Sequence, residues 1–337
     1  MAKKLIRFIV NPISGISSKG SVIEILNGVM NRDLYEWEVC PTQYAGHGAV
    51  LATMAAENHY DVVVAVGGDG TVNEVARSLV NTDTVLGIIP CGSGNGLARH
   101  LQIPLDVREA VEMINGGNVI AIDYGLVNHK PFFCTCGMGF DAEVSYKFAS
   151  ASKRGLFTYI EKTFQELAKY KPEVYTLEDQ FGKRTYEAFC IVFANASQYG
   201  NNIYVAPKAS MTDGLMDISL LESFKPFEVP ALAVQLFSGR LKDGVNHVKM
   251  SRTRKIKVIR EAPGVIHCDG DPMQVGREVN VEIIKHGLKV ITNSDAKTHP
   301  QPLIQTIGEQ VNMALLPPAE AFVNARDSIL EWFKLNG

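Results

Sequence analysis

The first third of the chain switches between two hydrophobic periods. Lys4–Val10, Trp37–Thr42, Asp61–Val66 and Thr84–Pro90 read as short strands. The last two are nearly continuous apolar runs, the pattern of a parallel sheet covered on both faces. Ser21–Met30, Gly48–Asn58 and Thr71–Val80 read as the intervening helices. In the third, Val72, Val75, Ala76 and Leu79 fall at i, i+3, i+4 and i+7, on one apolar face. This alternation predicts βαβ units, a parallel sheet and a Rossmann-like α/β domain over residues 1–122.

From about Asp123 the texture changes. Tyr175–Leu177, Ala188–Ala194, Met216–Leu221, Lys255–Arg260, Val279–Ile284 and Lys289–Thr292 read as strands joined by turns such as Phe181-Gly182-Lys183. Helical islands interrupt them at Phe157–Lys169 and Phe227–Phe237. The expectation is a second, mainly β sandwich domain over 123–296. After His299 the pattern is helical again, and Pro317-Pro318 opens a helix with Phe322, Ala325, Ile329 and Phe333 in one stripe. The tail 297–337 is expected to dock as helices on the first domain.

A length of 337 residues accommodates two modest domains, and 46% hydrophobic with 20% charged residues excludes large-scale disorder. A net charge of −3 gives no reason to expect nucleic acid as a partner. Lys3, Lys4 and Arg7 surround a short apolar run, but Asn11-Pro12 ends it, so it reads as a first strand and not a leader. No stretch approaches the roughly 20 apolar residues of a spanning helix. The expectation is a cytoplasmic protein, peripheral to the inner face of the membrane. The cysteines are scattered, and Cys134-Thr-Cys136 has the wrong spacing for zinc, so they read as reduced thiols.

The strongest chemical signal is Val66-Gly67-Gly68-Asp69-Gly70-Thr71-Val72-Asn73-Glu74-Val75, where an apolar strand runs through glycines into a helix. Glycines let backbone N–H groups approach a phosphate, and the helix aims its positive end at the same place. Asp69 would repel that phosphate unless a cation mediates, and Mg²⁺ is the natural mediator. A second block, Gly92-Ser93-Gly94-Asn95-Gly96, follows the next apolar strand; a third, Asn11-Pro12-Ile13-Ser14-Gly15, closes the first. All lie at carboxyl ends of strands of one sheet, where open α/β folds bind ligands. Neither a G-x-x-x-x-G-K-[ST] loop nor the protein-kinase signatures occur.

These blocks, with Asp123-Tyr-Gly125, Gly137-Met-Gly139-Phe-Asp141-Ala142, Lys153-Arg-Gly155, Ala206-Pro207 through Asp213-Gly214-Leu215, and Asp269-Gly270-Asp271, resemble in order the diacylglycerol kinase catalytic-domain family. That family includes bacterial lipid kinases and sphingosine kinases and shares its Gly-Gly-Asp-Gly element with phosphofructokinases and NAD kinases. The resemblance implies ATP binding by Asn11, Pro12, Ser14, Gly15, Thr42, Gly67, Gly68, Asp69, Gly70, Thr71, Asn73, Gly92, Ser93, Gly94 and Asn95. His47, near Thr42, reads better as a loop residue than as a ligand. It also implies a structural Mg²⁺ at Asp213 with Ser210 and Leu215, although Thr212-Asp213-Gly214 equally reads as a turn.

Catalysis would bring Asp69 together with Asp269 and Asp271. The family usually has Glu as proton acceptor where this chain has Asp271. Asp271 is favoured by position and Asp269 is the alternative. An apolar cleft for acyl chains would be sought among Phe132–Met138, Phe157–Tyr159 and Phe189–Phe193. A basic stretch, Lys249, Arg252, Arg254, Lys255, Lys257 and Arg260, reads as a face for anionic headgroups or as a solvated strand. The expected activity is Mg-ATP-dependent phosphorylation of a membrane lipid, diacylglycerol or a relative; family analogy alone suggests a homodimer. A sphingoid-base kinase, or a catalytically weak nucleotide-regulated lipid-binding protein, is the alternative. NAD kinase fits poorly, because the Asn11–Gly15 and Asp269–Asp271 blocks belong to the lipid kinases.

Overall fold

Four strands, β1 (Lys4–Val10), β2 (Tyr35–Pro41), β3 (Val62–Gly67) and β4 (Val85–Pro90), pair in parallel in the order β2-β1-β3-β4. The computed structural model describes residues 3–13, 19–149, 170–225 and 228–293, all within one compact unit that runs from Met1 to Pro300. Every residue of β3 is buried, which is why its sequence, VVVAVG, lacks alternation. Helices α1 (Lys19–Val29), α2 (His47–Glu57) and α3 (Asp69–Leu79) alternate with these strands. Beyond β4 come α4 (Gly96–His100) and α5 (Val107–Gly116). Two apolar clusters cover the two faces, one around Ile9, Val63, Val72, Val75 and Leu79 and the other around Ile6, Phe8, Leu26, Val64 and Ile114.

The sheet does not end at β4. A long strand, β5 (Asn118–Val127), is followed by a short hairpin partner, β6 (Lys130–Phe132), by β7 (Thr135–Gly139) and by α6 (Phe140–Ala149). Then β8 (Glu173–Asp179), β9 (Gly182–Ala194), β10 (Met216–Glu222), α7 (Val229–Ser238), β11 (Val248–Thr253), β12 (Lys255–Arg260), β13 (Gly264–Cys268), β14 (Asp271–Val275) and β15 (Glu278–Thr292) complete the described chain. Their pairing is antiparallel apart from one contact, Val290 of β15 in parallel register with Leu86 of β4. The sandwich core holds Phe132, Met138, Tyr175, Ile191, Phe193, Val258 and Val281.

The second half therefore is the mainly β domain the sequence predicts, beside the α/β first half. β5 and β15 belong to both. β5 runs unbroken through Asp123, where the texture changes, and pairs along β15 from Asn118 to Val127. The two expected strands Val279–Ile284 and Lys289–Thr292 are one strand with an irregularity between Ile284 and Leu288. Its cause is local. His286 adopts φ 51° and its N–H donates to buried Asp123 Oδ1 at 2.8 Å, while Gly287 lies where a Cβ would meet the Tyr124 ring at 2.3 Å.

Other expectations shift by register. α3 begins at Asp69 because Gly68, at φ −86° and ψ −175°, is its extended N-cap. α5 lies beyond the expected helices, and Asp106 caps it by accepting from Glu109 N–H. The island at Phe157–Lys169 and the tail helices lie outside the described residues. No helix among the described residues is long and apolar enough to cross a membrane.

Candidate active site

Register places the strand ends flush. Val10 pairs with both Pro41 and Val66, and Gly67 pairs with Pro90. The next residue on each strand continues the ladder: Thr42 N–H donates to Val10 O, Asn11 N–H to Val66 O, and Cys91 N–H to Gly67 O. Asn11, Pro12, Thr42, Gly67, Gly68 and Gly92 are therefore gathered along one edge, as their spacing predicts. Ser14 and Gly15 lie outside the described residues. Asn11 Nδ2 donates to Thr71 Oγ1 at 3.1 Å, joining the first block to the second. Asn73 is buried on α3.

Most of the glycines here serve contact between the two loops. A Cβ on Gly92 would lie 2.6 Å from Gly68 Cα, and one on Gly94 would lie 2.6 Å from Asp69 Oδ2. A Cβ on Gly67 would strike Thr71 at 2.6 Å. Gly70 differs: it is exposed in the first turn of α3, and a Cβ there would meet nothing within 4 Å. Packing explains three of these glycines and leaves Gly70 as the one facing space a ligand can use.

Asp69 is held by the neighbouring loop. Asn95 N–H donates to its Oδ2 at 2.8 Å and Gly96 N–H to its Oδ1 at 2.7 Å. The carboxylate thus caps the start of α4, where Asn95 stands in left-handed conformation with its own side chain bridging back to Gly92. Ser93 and Gly94 are carried in that loop. Glu74, quoted in the motif without a role, clasps α2 by accepting from Gly46 N–H at 2.9 Å and Gly48 N–H at 3.2 Å. His47 lies in the same turn, stacked on Tyr44 with ring centroids 4.6 Å apart.

Across from this edge stands the turn between β13 and β14. Asp269, at φ 51°, accepts three backbone N–H groups: Phe133 at 2.8 Å, Cys134 at 2.7 Å and Thr135 at 3.0 Å. Burial pushes its carboxyl above the usual range, and the three donors with the charge of Arg77 pull it part of the way back. Behind it, Gly270 N–H donates to His267 Nδ1, which leaves Nε2–H to donate to Asp141 Oδ2 at 3.0 Å. Asp141 also accepts from Tyr199 O–H at 2.9 Å.

Asp271 is different again. Its side chain is 51% exposed and only Oδ2 is engaged, by Arg77 Nη1 and Nη2, each at 3.3 Å. Oδ1 has no protein partner among the described residues. Arg77 comes from α3, and nothing in the glycine motif singled it out. Its only signal was position, two turns beyond Gly70 on the polar side of the helix.

Cys134 ties the two walls together. Its N–H bonds Asp269, and a Cβ on Gly96 would touch its sulfur at 3.5 Å. Burial first, then the charges of Asp269 and Asp69, raise its thiol far above the ordinary value.

The residues expected to hold a structural metal make a turn. Leu215 N–H donates to Asp213 Oδ1 at 3.0 Å, Asp213 Oδ2 is bonded by Arg252, and Ser210 bonds Thr212. The Arg252 guanidinium, shared with Asp217, already engages one oxygen of the single side-chain carboxylate in the set. No cluster of three or more His, Cys, Asp or Glu suited to a metal occurs among the described residues. Asp69 fits a nucleotide-borne Mg²⁺ better: each oxygen accepts one N–H and keeps a further lone pair.

Two expectations about the lipid side change. Phe132, Phe133, Met138, Ile191 and Phe193 are fully buried in the cores, not lining a cleft. Phe189 instead joins Phe140, Val144, Tyr170 and Phe224 in a separate, largely aromatic cluster. Five of the six residues of the basic stretch are paired, Lys249, Arg252, Lys255, Lys257 and Arg260 with Glu222, Asp213 and Asp217, Glu282, Glu278, and Glu173, while exposed Arg254 makes no ion pair among the described residues.

Residues 5–127 match the diacylglycerol kinase catalytic domain and residues 134–292 the YegS C-terminal NAD kinase beta sandwich-like domain. A diacylglycerol kinase of Bacillus subtilis (strain 168) is 29% identical over 278 residues, 80% of this chain and 90% of that protein. A diacylglycerol kinase of Staphylococcus saprophyticus is 28% identical over 303 residues, 88% of this chain and 97% of that one. The crystal structure of a diacylglycerol kinase from Bacillus anthracis str. Sterne shares the fold at TM-score 0.69 and 18% identity, covering 87% of this chain and 97% of that one.

Proposed function

Because the chain belongs to the diacylglycerol kinase catalytic-domain family, we propose that it transfers the γ-phosphoryl group of Mg-ATP to the hydroxyl of diacylglycerol or a related lipid. The observation that carries this reading is the division of labour among three aspartates. Both oxygens of Asp69 and of Asp269 accept backbone N–H groups, with Asp69 keeping a lone pair on each, whereas Asp271 has one oxygen without a protein partner among the described residues.

The triphosphate lies at the N-terminus of α3, over the open space at Gly70, where unpaired N–H groups and the helix dipole favour anions. Asn11, Pro12 and Thr42 border the same edge and flank the nucleotide. Asp69 would be the carboxylate to hold the Mg²⁺ that accompanies ATP, whose charge would offset that of the phosphates. Asp271 Oδ1 accepts the proton of the lipid hydroxyl as its oxygen bonds to the γ-phosphorus and the bond to ADP breaks. Asp269 serves as an anchor: it fixes the β13–β14 turn to residues 133–135, so that the turn presents Asp271. Tyr170 and Phe224, partly exposed over buried Phe140 and Phe189, are the side chains of that cluster which acyl chains could reach.

The test is transfer of labelled γ-phosphate from Mg-ATP to lipids in mixed micelles, with Asp271→Asn as control. Diacylglycerol, monoacylglycerol, phosphatidylglycerol, sphingosine, dihydrosphingosine and ceramide form the panel. Product on diacylglycerol that disappears in the control supports the reading. Product on a sphingoid base alone moves the substrate class, and ATP binding without any product overturns the kinase reading in favour of a regulatory protein.

A further inference from the structure

Building on the kinase reading above, we infer that Arg77 is a positioning residue that sets the acceptor-side carboxylate from the same helix that receives the donor phosphate. The two faces of α3 explain how one helix does both. Val72, Val75, Ala76 and Leu79 bury one face against the sheet. Gly70 and Arg77, seven residues and two turns apart, share the opposite side. Their Cα atoms stand about 10 Å apart along the axis, and a long side chain on a helix leans towards the N-terminus, so Arg77 reaches back in the direction of Gly70.

The guanidinium is held at three points on the other half of the molecule. Nε donates to Pro131 O at 3.3 Å, next to the β6–β7 connection, and Nη1 and Nη2 both address Asp271 Oδ2 at 3.3 Å. These contacts are long for charge-assisted bonds, which run about 2.7–2.9 Å. They orient more than they bind. The arginine side chain is 22% exposed and its partner 51%, so the pair is open to solvent on the carboxylate's side. By engaging Oδ2 alone, the fork leaves Oδ1 as the atom free to take a proton.

The backbone of Asp271 is already fixed. Asp269 is locked by its three donors, Gly270 is held by His267, and both stand at positive φ. What the turn does not fix is the rotamer of Asp271, and Arg77 supplies that constraint. Because Arg77 belongs to α3, the carboxylate is referenced to the phosphate platform and not only to the sandwich. In near-attack geometry an error of about 1 Å costs on the order of 100-fold in rate, so this reference has kinetic weight.

The rival is a purely structural tie between the halves, and three variants separate the two. Arg77→Gln keeps a polar chain without the fork. It is expected to lower kcat by roughly 10- to 100-fold, with KM for ATP within about twofold and Tm within about 2 °C. Arg77→Lys keeps the charge without the planar fork and should recover only a minor part of kcat. The third variant adds Asp271→Glu to Arg77→Gln: a carboxylate longer by roughly 1.5 Å reaches without the clamp and should regain most of the lost kcat. An Arg77→Gln enzyme with wild-type kcat overturns the proposal. So does a loss that tracks Tm and is not relieved by Asp271→Glu. Wild-type protein that binds ATP and phosphorylates no lipid overturns the kinase reading itself, a result distinct from both.

Discussion

Asp69 and Asp271 stand on facing walls and are treated oppositely. On the nucleotide side, both oxygens of Asp69 accept N–H groups of the next glycine loop, and the wall is almost wholly backbone. On the sandwich side, Asp271 projects half-exposed, steadied by one arginine, and the wall's function rests on a single side chain. The difference teaches that a carboxylate's role is read from what already fills its lone pairs. A backbone wall can be specified by glycine spacing. A side-chain wall depends on partners from distant parts of the chain.

The sharpest way to break this contrast is Asp271→Asn. It removes the proton acceptor and nothing structural, so kcat should fall by about 10²–10⁴-fold while Tm and ATP affinity by calorimetry hold. A drop in Tm would place Asp271 with the anchors. Asp269→Asn should lower stability as well as rate, because it loosens the turn that presents Asp271. An amide would turn an NH₂ towards N–H donors, and losing hydrogen bonds to a charged group costs about 2–3 kcal/mol, read as a lowered urea midpoint.

Its pH signature has a definite sign. The folded-state carboxyl lies above its unfolded value, so the associated stability is full below an unfolded pKa near 3.9 and is lost as pH rises through the raised folded value. Asp269→Asn should flatten that part of the stability–pH curve. A slope unchanged in the variant would assign the titration elsewhere.

Smaller effects sharpen the glycine side. Gly92→Ala forces a Cβ to 2.6 Å from Gly68 Cα and should cost about 1–3 kcal/mol by thermal denaturation. Gly70→Ala has open space and ordinary helical geometry, so stability should stay level or rise by up to about 1 kcal/mol. Its effect should appear only as weaker ATP binding. A Gly70→Ala protein that binds ATP as wild type does would remove the argument for a phosphate there.

Local pattern carried a good part of this molecule. β1 matches its expected span Lys4–Val10, β12 matches Lys255–Arg260, and the flush strand ends follow from glycine blocks placed after apolar runs. What eluded the pattern was set by partners far away in sequence. The single strand β15 looked like two because Asp123, more than 160 residues earlier, stabilises its irregularity. Phe132 and Met138 looked like cleft residues because apolar character does not say which core receives it. Arg77 was invisible for the same reason: its meaning comes from Asp271, 194 residues on. The anchoring role of Asp269 needed the positions of three N–H groups that no spacing encodes.

The sharing of β15 between the halves has a consequence for synthesis. The parallel sheet that begins with β1 meets its partner beyond β4 only when residues 278–292 have been made, since β15 lies beside β4 and along β5. As the chain emerges from the ribosome, the first half must wait with an open edge at β4 and a β5 paired only at its end with β6, a state prone to wrong pairing. A fragment cut after residue 127 would keep that edge permanently. The half built on the parallel strands is first to be translated and among the last to be finished.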